Sequence, residues 1–257
     1  MEQDITKHTS NIENLKKLIM APNAKRNLMD NQAELLRILP EMEPCIGFQQ
    51  NSPYHIYDVW GHIAAAVNEA TDDYMVRMAL LFHDIGKPQC YQVDEKGIGH
   101  FHGHGHISAE ITEVALTRLG VDPAFKKQVV TLVRYHDMRI EVCSKAVNRL
   151  VGKIGDELFS KLLLVREADV LAQAPEYERQ RLDKIANLRC IKERLKTEKQ
   201  ADEQSKLKIS GRDLLSIGYE PGPVVGQQLR LLREVVQKDS SLNRRDILLE
   251  QSAKVLK

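Results

Sequence analysis

The chain has 257 residues, 42% of them hydrophobic, which is enough for one large domain or two smaller ones and excludes disordered and fibrous classes. Its 37 Lys and Arg nearly balance 36 Asp and Glu, so no overall field announces a nucleic-acid or membrane partner, and any basic surface has to be local. No apolar run approaches the roughly 18 residues of a membrane span, and the opening "MEQDITKHTS" lacks the charged-then-apolar layout of a secretory signal, so a soluble cytoplasmic protein without a membrane partner is expected.

Aromatic residues make up only 5% of the chain, and alternating β-branched runs are scarce. Apolar residues instead recur at intervals of three and four, as in "LLRILPEM", "YDVWGHIAAAVNEA", "YMVRMALLF" and "AFKKQVVTLVRYH", which predicts an all-α fold. In chain order, a helical lead-in occupies residues 1–50, a core follows over 51–173, and a charged helical tail covers 174–257. Within the core, "CYQVDEKGIGHFHG" reads as a small hairpin or an irregular loop, because two short pieces flank Glu95-Lys96-Gly97. Asp122-Pro123 fits an N-cap followed by a helix-opening proline, and Pro221-Gly222-Pro223 stops one tail element before another begins. From Glu178 to Gln200 the tail carries eight Lys or Arg against four Asp or Glu, with Leu182, Ile185, Leu188, Ile191 and Leu195 at helical spacing. This stretch reads either as a solvated helix packing one apolar stripe or as an RNA-binding helix. Cys45, Cys90, Cys143 and Cys190 are scattered without a C-x-x-C pair, so they are expected to be reduced and mostly buried.

Six side chains spread through the core can ligate a metal: His62, His83, Asp84, His104, His136 and Asp169. His62 sits inside an apolar helix, where it is either a satisfied core histidine or a ligand. Asp84 follows the apolar "MALLF" and would be costly to bury unless paired or metal-bound; a helix N-cap is the alternative. Asp169 repeats the situation in "LLLVREADVLAQA". A mixture of imidazole and carboxylate suits Mn, Fe, Co, Ni, Zn and, less well, Mg, and can activate water against a phosphate ester. Between these positions His100, His102, His104 and His106 alternate, and spacing alone does not choose among them; a loop binding adventitious metal is the plain alternative. "GKPQC" is no phosphate-binding loop, since it lacks the upstream glycine and the following Ser or Thr. No Ser or Cys sits beside a matched base.

The segments "YHIYDVWGH", "LLFHDIGKP", "GHFHGHGHISAEI", "LVRYHD" and "ISGRDLLSIGYEPGPVVGQQLRLL", in this order, resemble the HD superfamily of metal-dependent phosphohydrolases. The likeness is closer to the HD-containing C-terminal part of bacterial tRNA nucleotidyltransferases, the CCA-adding enzymes, and covers roughly residues 34–255. The resemblance implies an all-helical HD fold over 51–173 and phosphoesterase action on small nucleotides or related phosphoesters. It implies metal ligation by His62, His83, Asp84 and Asp169, and it selects His104 and His136 as ligands of a second cation with Asp84 bridging, so one or two divalent ions per chain. Ser108 stands where the family usually has glycine. The Gly-Gly turn and Asp-x-Asp pair of a nucleotidyltransferase head are not found in these 257 residues, so nucleotide addition is not expected of them.

Lys87, three residues after Asp84, reads as a phosphate contact or as a surface lysine at a turn. Asp137 reads as a proton shuttle or as the residue that orients His136, and Arg134 and Arg139 as phosphate contacts or solvated arginines. Asp84, Lys87 and Asp137 are the expected catalytic residues. The rival readings are a non-catalytic RNA-binding or tRNA-binding module, with Arg179, Arg181 and Lys184 on its surface, and a nucleotide sensor that binds without turnover.

Overall fold

A computed structural model of the chain describes the backbone of residues 2–256 and the side chains of 10–201 and 206–256. The order of elements is α1 (Glu2–Ile19), α2 (Ala24–Asp30), α3 (Gln32–Ile38), a 3-10 turn over Pro40–Cys45, α4 (Val59–Glu69), α5 (Tyr74–Phe82), α6 (Lys87–Cys90), β1 (Gln92–Val93), β2 (Gly99–His100), α7 (His104–Arg118), α8 (Pro123–Tyr135), α9 (Ser144–Ile154) and α10 (Asp156–Leu171). A 3-10 turn at Pro175–Tyr177 then leads into α11 (Glu178–Ser205), followed by α12 (Gly211–Ser216), α13 (Pro223–Lys238) and α14 (Arg245–Val255). The fold is all-α, as the apolar spacing predicts. No helix among the described residues is long and apolar enough to cross a membrane.

The chain divides into two compact units, residues 1–191 and 192–257. In the first, α4 and α5 are the central helices. Asp58 caps α4, one carboxylate oxygen accepting from Gly61 N at 2.7 Å and the other from Gly47 N at 2.7 Å. Every residue from Val59 to Val67 is then buried, which marks a helix surrounded by protein. Asp73 caps α5 by accepting from Met75 N and Val76 N. The lead-in packs within this unit: the buried Arg77 guanidinium of α5 donates to Ile19 O at 2.8 Å and Ala21 O at 3.2 Å, tying the end of α1 to the core. Residues 174–191 of the tail also lie in this unit.

The second unit has its own small core of Ile209, Leu214, Tyr219, Leu232, Val236 and Leu248. Ser210 and Asp213 form a capping box at α12, and Pro223 opens α13 at its first turn, as the Pro-Gly-Pro signal predicts.

The segment of two readings is a hairpin, with Gln92 opposite His100 and Val93 opposite Gly99. Asp94 closes it by accepting from Lys96 N and Ile98 N, both at 2.9 Å. Asp122 caps α8 as expected, accepting from Phe125 N at 2.9 Å. The cysteines depart from expectation: Cys45 is buried, but Cys90 and Cys143 are half-buried and Cys190 is exposed, because α11 turns that residue away from its apolar stripe.

After α5 the chain makes a turn at residues 83–86 that lies on the first turns of α7. Ser108, buried completely, accepts from Gly86 N through its hydroxyl at 2.9 Å, so the serine in a place usual for glycine has a defined partner. A Cβ at Gly86 would stand 2.6 Å from Ser108 N and 3.0 Å from His104 O, both backbone atoms unable to swing aside. Gly86→Ala is therefore expected to destabilise the protein by about 1–3 kcal/mol through overpacking, read as a lower midpoint in denaturant unfolding.

Candidate metal centre

Each candidate ligand is delivered by a defined helix position. His62 lies in α4, His83 is the C-cap of α5, Asp84 follows it in the turn, His104 opens α7, His136 is the C-cap of α8, and Asp169 lies in the last turn of α10. All but Asp169 are buried, and the Asp169 side chain is 18% exposed. Asp84 Oδ2 lies 3.3 Å from His62 Nε2 and 3.2 Å from His83 Nε2, while its Oδ1 lies 3.1 Å from His104 Nε2 and 3.6 Å from His136 Nε2. Asp169 Oδ1 stands 3.0 Å from His62 Nε2 and 3.7 Å from His83 Nε2. The carboxylate of Asp84 thus separates two pairs of histidines, and two ligand groups, His62-His83-Asp84 and Asp84-His104-His136, share it.

The protonation of the rings follows from their other nitrogens. His62 Nδ1 lies 3.3 Å from Ala172 O, His83 Nδ1 2.7 Å from Leu80 O, His104 Nδ1 2.8 Å from Phe101 O and His136 Nδ1 2.7 Å from Val133 O. A carbonyl only accepts, so each Nδ1 carries the hydrogen, and a ring that is neutral then turns an Nε2 lone pair inward. Yet His62 Nε2 and His83 Nε2 are 3.2 Å apart, and His104 Nε2 and His136 Nε2 are 3.0 Å apart. Two lone pairs at that distance repel unless a proton or a cation lies between them. Two nitrogens bound at about 2.1 Å to one ion and roughly at right angles are about 3 Å apart. The donor set, neutral imidazole with carboxylate, fits a divalent transition metal.

Charge reinforces the geometry. Burial would raise the Asp84 carboxyl, but His83, Lys87 and the hydrogen bonds from His104 and His136 outweigh it and hold Asp84 well below the usual carboxylate range. Burial pushes the other acid, Asp169, up as well, and His62 and His83 likewise hold it far down. Burial lowers His83, whereas Asp84 and Asp169 outweigh burial and leave it at about 10. His104 is raised despite burial by its bond to Asp84, while His136, more deeply enclosed, is lowered chiefly by burial. Burial, with Asp84 beside it, pushes the nearby Cys45 thiol up to about 12, and neither ligand group among the described residues includes a cysteine.

A cleft of about 830 Å³ opens on the centre, lined by Asp84, Lys87, His104, His136, Asp137 and Asp169 among others. Lys87 is no surface lysine: it is buried, with Nζ 2.6 Å from Asp84 Oδ2 and donating to Gln50 Oε1 at 2.8 Å. Despite these neighbours, Asp84 Oδ2 accepts no well-aligned hydrogen bond, an orphaned buried oxygen facing His62 and His83. Asp137 does not orient His136, whose Nδ1 turns back to Val133 O; it lies instead 3.4 Å from His104 Nδ1. Of the alternating histidines only His104 reaches the centre among the described residues. His100 pairs with Asp94 at 3.0 Å, His102 stacks on His100, and His106 meets Arg134 at 3.0 Å, which draws Arg134 out of the cleft lining. Arg139, Arg181 and Lys184 line the cleft, while Arg179 is exposed outside it.

Sequence reasoning passed over Gln50, His55, Arg166 and Gln173. His55 packs edge-on against His62 with ring centroids 5.0 Å apart, and burial, then Lys87, lowers it to about 3, so it stays neutral. Arg166 donates to Met138 O at 2.7 Å at the cleft wall. The signal for Arg166 was an arginine on the α10 face that also carries Asp169; the glutamines gave none.

Residues 54–174 match the HD domain family. Over 234 residues, 86% of the chain, the sequence is 30% identical to the A-adding tRNA nucleotidyltransferase of Deinococcus radiodurans, covering 52% of that protein. It is also 30% identical over 234 residues to the CC-adding tRNA nucleotidyltransferase of Thermus thermophilus, covering 51% of it. The multifunctional CCA protein of Nitrosococcus oceani is 31% identical over 146 residues, 52% of this chain and 35% of that protein. The chain spans about half the length of the first two relatives.

Replacing Asp84 by Ala removes the charge on which all four rings converge. Asp84→Ala is expected to lose bound metal on elemental analysis while its far-UV circular dichroism stays helical; full metal occupancy in that variant would exclude Asp84 as a ligand.

Proposed function

We propose that the chain, whose residues 54–174 match the HD domain family, is a metal-dependent phosphohydrolase acting on small nucleotides or related phosphoesters. The observation that carries this reading is the inward pairing of imidazole nitrogens, 3.2 Å apart for His62 and His83 and 3.0 Å for His104 and His136, around one buried carboxylate. His62, His83, Asp84 and Asp169 would hold one divalent cation, and His104 and His136 a second, with Asp84 between them. Such ions, when bound, lower the pKa of water and offset charge on a phosphate. The hydrolytic domain is assigned to residues 51–173, flanked by the lead-in at 1–50 and the tail at 174–257.

The rest of the work falls to the protein's own groups. Lys87, at the cleft floor, places a positive charge for a phosphate oxygen and keeps Asp84 ionised. Asp137 is exposed at the cleft edge, where it can pass a proton between solvent and the reacting oxygens. Arg139, Arg166, Arg181 and Lys184 line the wall as partners for anionic groups, and Tyr54, Phe101, Ile185 and Leu188 supply apolar and aromatic surface for a base. Because His83 holds a proton that a metal must displace, metal affinity rises with pH.

A tRNA-contacting module is the second reading, favoured by the similarity to tRNA nucleotidyltransferases and by Arg181 and Lys184 on α11. A panel of 2',3'-cyclic nucleotides, nucleoside monophosphates and an aryl phosphodiester, assayed with Mn, Co, Ni and Mg, distinguishes the two. Metal-dependent turnover is expected, and His83→Ala is expected to lower it by more than about 100-fold. Incorporation of CTP or ATP into tRNA is not expected. Silence across the panel, with tRNA binding lost on neutralising Arg179, Arg181 and Lys184, would favour the RNA module. A crystal soaked with Mn is expected to give two anomalous peaks about 3.5–4 Å apart; a single peak would leave a mononuclear centre.

A further inference from the structure

Asp169 has the most exposed side chain of the candidate ligands. Its side chain is 18% exposed where that of Asp84 is 2% exposed, and it lies on the last turn of α10, where the chain leaves the helix. Among the described residues, the hydrogen-bond donor that meets it, apart from the histidines, is Gln173. Gln173 Nε2 donates to Asp169 Oδ1 at 2.9 Å, the same oxygen that stands 3.0 Å from His62 Nε2.

A glutamine amide has two faces, and only one helps a carboxylate. With Oε1 turned toward Asp169 the contact would be repulsive. Arg181 decides the matter: its guanidinium, which can only donate, donates from Nη1 to Gln173 Oε1, so Nε2 is left for Asp169. Arg181 is itself held, stacked over the Tyr54 ring at 4.9 Å, and Tyr54 packs edge-on against Tyr177 at 4.6 Å. The loop that carries Tyr54 is pinned to the same place, since Tyr54 O accepts from Ala174 N at 2.9 Å. Four segments therefore meet at one amide: the end of α10, the 3-10 turn, the start of α11, and the loop before α4.

We propose that Gln173 is a positioning residue for Asp169, and that Arg181, a residue of the cleft wall, sets the orientation of the Gln173 amide. The metal centre thus depends on a side chain that touches none of its ligands. This rests on the reading of Asp169 as a metal ligand. Partners that orient a ligand in this way typically account for 10–100-fold in metal affinity.

The test is a Co2+ titration of the metal-stripped full chain, following the visible absorption band and fixing affinity by chelator competition. Gln173→Met keeps the packing volume and removes only the polar end; it is expected to bind Co2+ about 10–100-fold more weakly with an altered band. Arg181→Ala is expected to weaken binding in the same direction, and Gln173→Met/Arg181→Ala to match Gln173→Met alone, since both act through one amide. Asp169→Ala marks the limit of losing the ligand outright. Affinity within twofold of the wild type and an unchanged band for Gln173→Met would overturn the proposal, and so would a fall only in the melting temperature of the metal-free protein. Additive losses in the double variant would overturn the role of Arg181. Failure of the wild type to take up Co2+ would overturn the metal reading, and this proposal with it.

Discussion

The constraint on which the first unit turns is the burial of one carboxylate. Asp84 is all but inaccessible, and moving an ionised carboxylate out of water costs several kcal/mol unless charges and hydrogen bonds replace the lost hydration. What surrounds it is compensation of that kind: the Lys87 ammonium at 2.6 Å and imidazoles on both oxygens. The compensation is itself incomplete, because a ring whose Nδ1 hydrogen goes to a backbone carbonyl can offer Asp84 a hydrogen on Nε2 only by taking up a second proton, which the acids favour at His83 and burial opposes at His136. The resulting shortage of positive charge is what makes a divalent ion the natural occupant.

Three of the rings are oriented by the same local device. His83, His104 and His136 each bond through Nδ1 to the carbonyl three residues earlier, Leu80, Phe101 and Val133 respectively. For His83 and His136 this occurs at a helix C-cap, where the last carbonyls lack helical partners and accept a side-chain donor without disrupting the ladder. Ring orientation is therefore settled by helix endings, and two helices that end side by side present their nitrogens to a common point. His62 differs. It lies within α4, where its own turn has no free carbonyl, and it reaches Ala172 across 110 residues of sequence.

The wide apolar girth of α4 and α5 is the counterpart of this polar end. Nine consecutive buried residues in α4 and seven in α5 bury enough surface to hold the helices in place while their C-terminal and second-turn positions carry the costly groups. Close backbone approaches keep the polar end tight. Gly99 leaves no room for a Cβ, which would stand 2.3 Å from Gln50 O, while at Gly105 a Cβ would stand 3.3 Å from Arg134 O and press on the movable Asp137 carboxylate. Around the cleft the pattern reverses, since Arg139 and Lys184 are exposed side chains free to adapt to what enters.

Much of this was legible in the chain itself. Apolar spacing marked the helices, Asp122-Pro123 marked the start of α8, and an acid behind "MALLF" pointed to a paired or ligating carboxylate, because the cost of burying charge is written into composition. The resemblance of ordered motifs, not spacing, pointed to His104 among its neighbours. The burial of Lys87, the placement of Asp137 beside His104, and the chain from Asp169 through Gln173 to Arg181 were not legible, since a glutamine or a lysine carries no signal of its own until a partner is set against it. The sequence by itself determined the helices, the apolar surfaces that they bury and the residue types capable of ligation, all of which depend on neighbours within a few turns. Only the tertiary structure decided which nitrogens face one another at about 3 Å, because those distances are set by the packing of segments 21 and 32 residues apart.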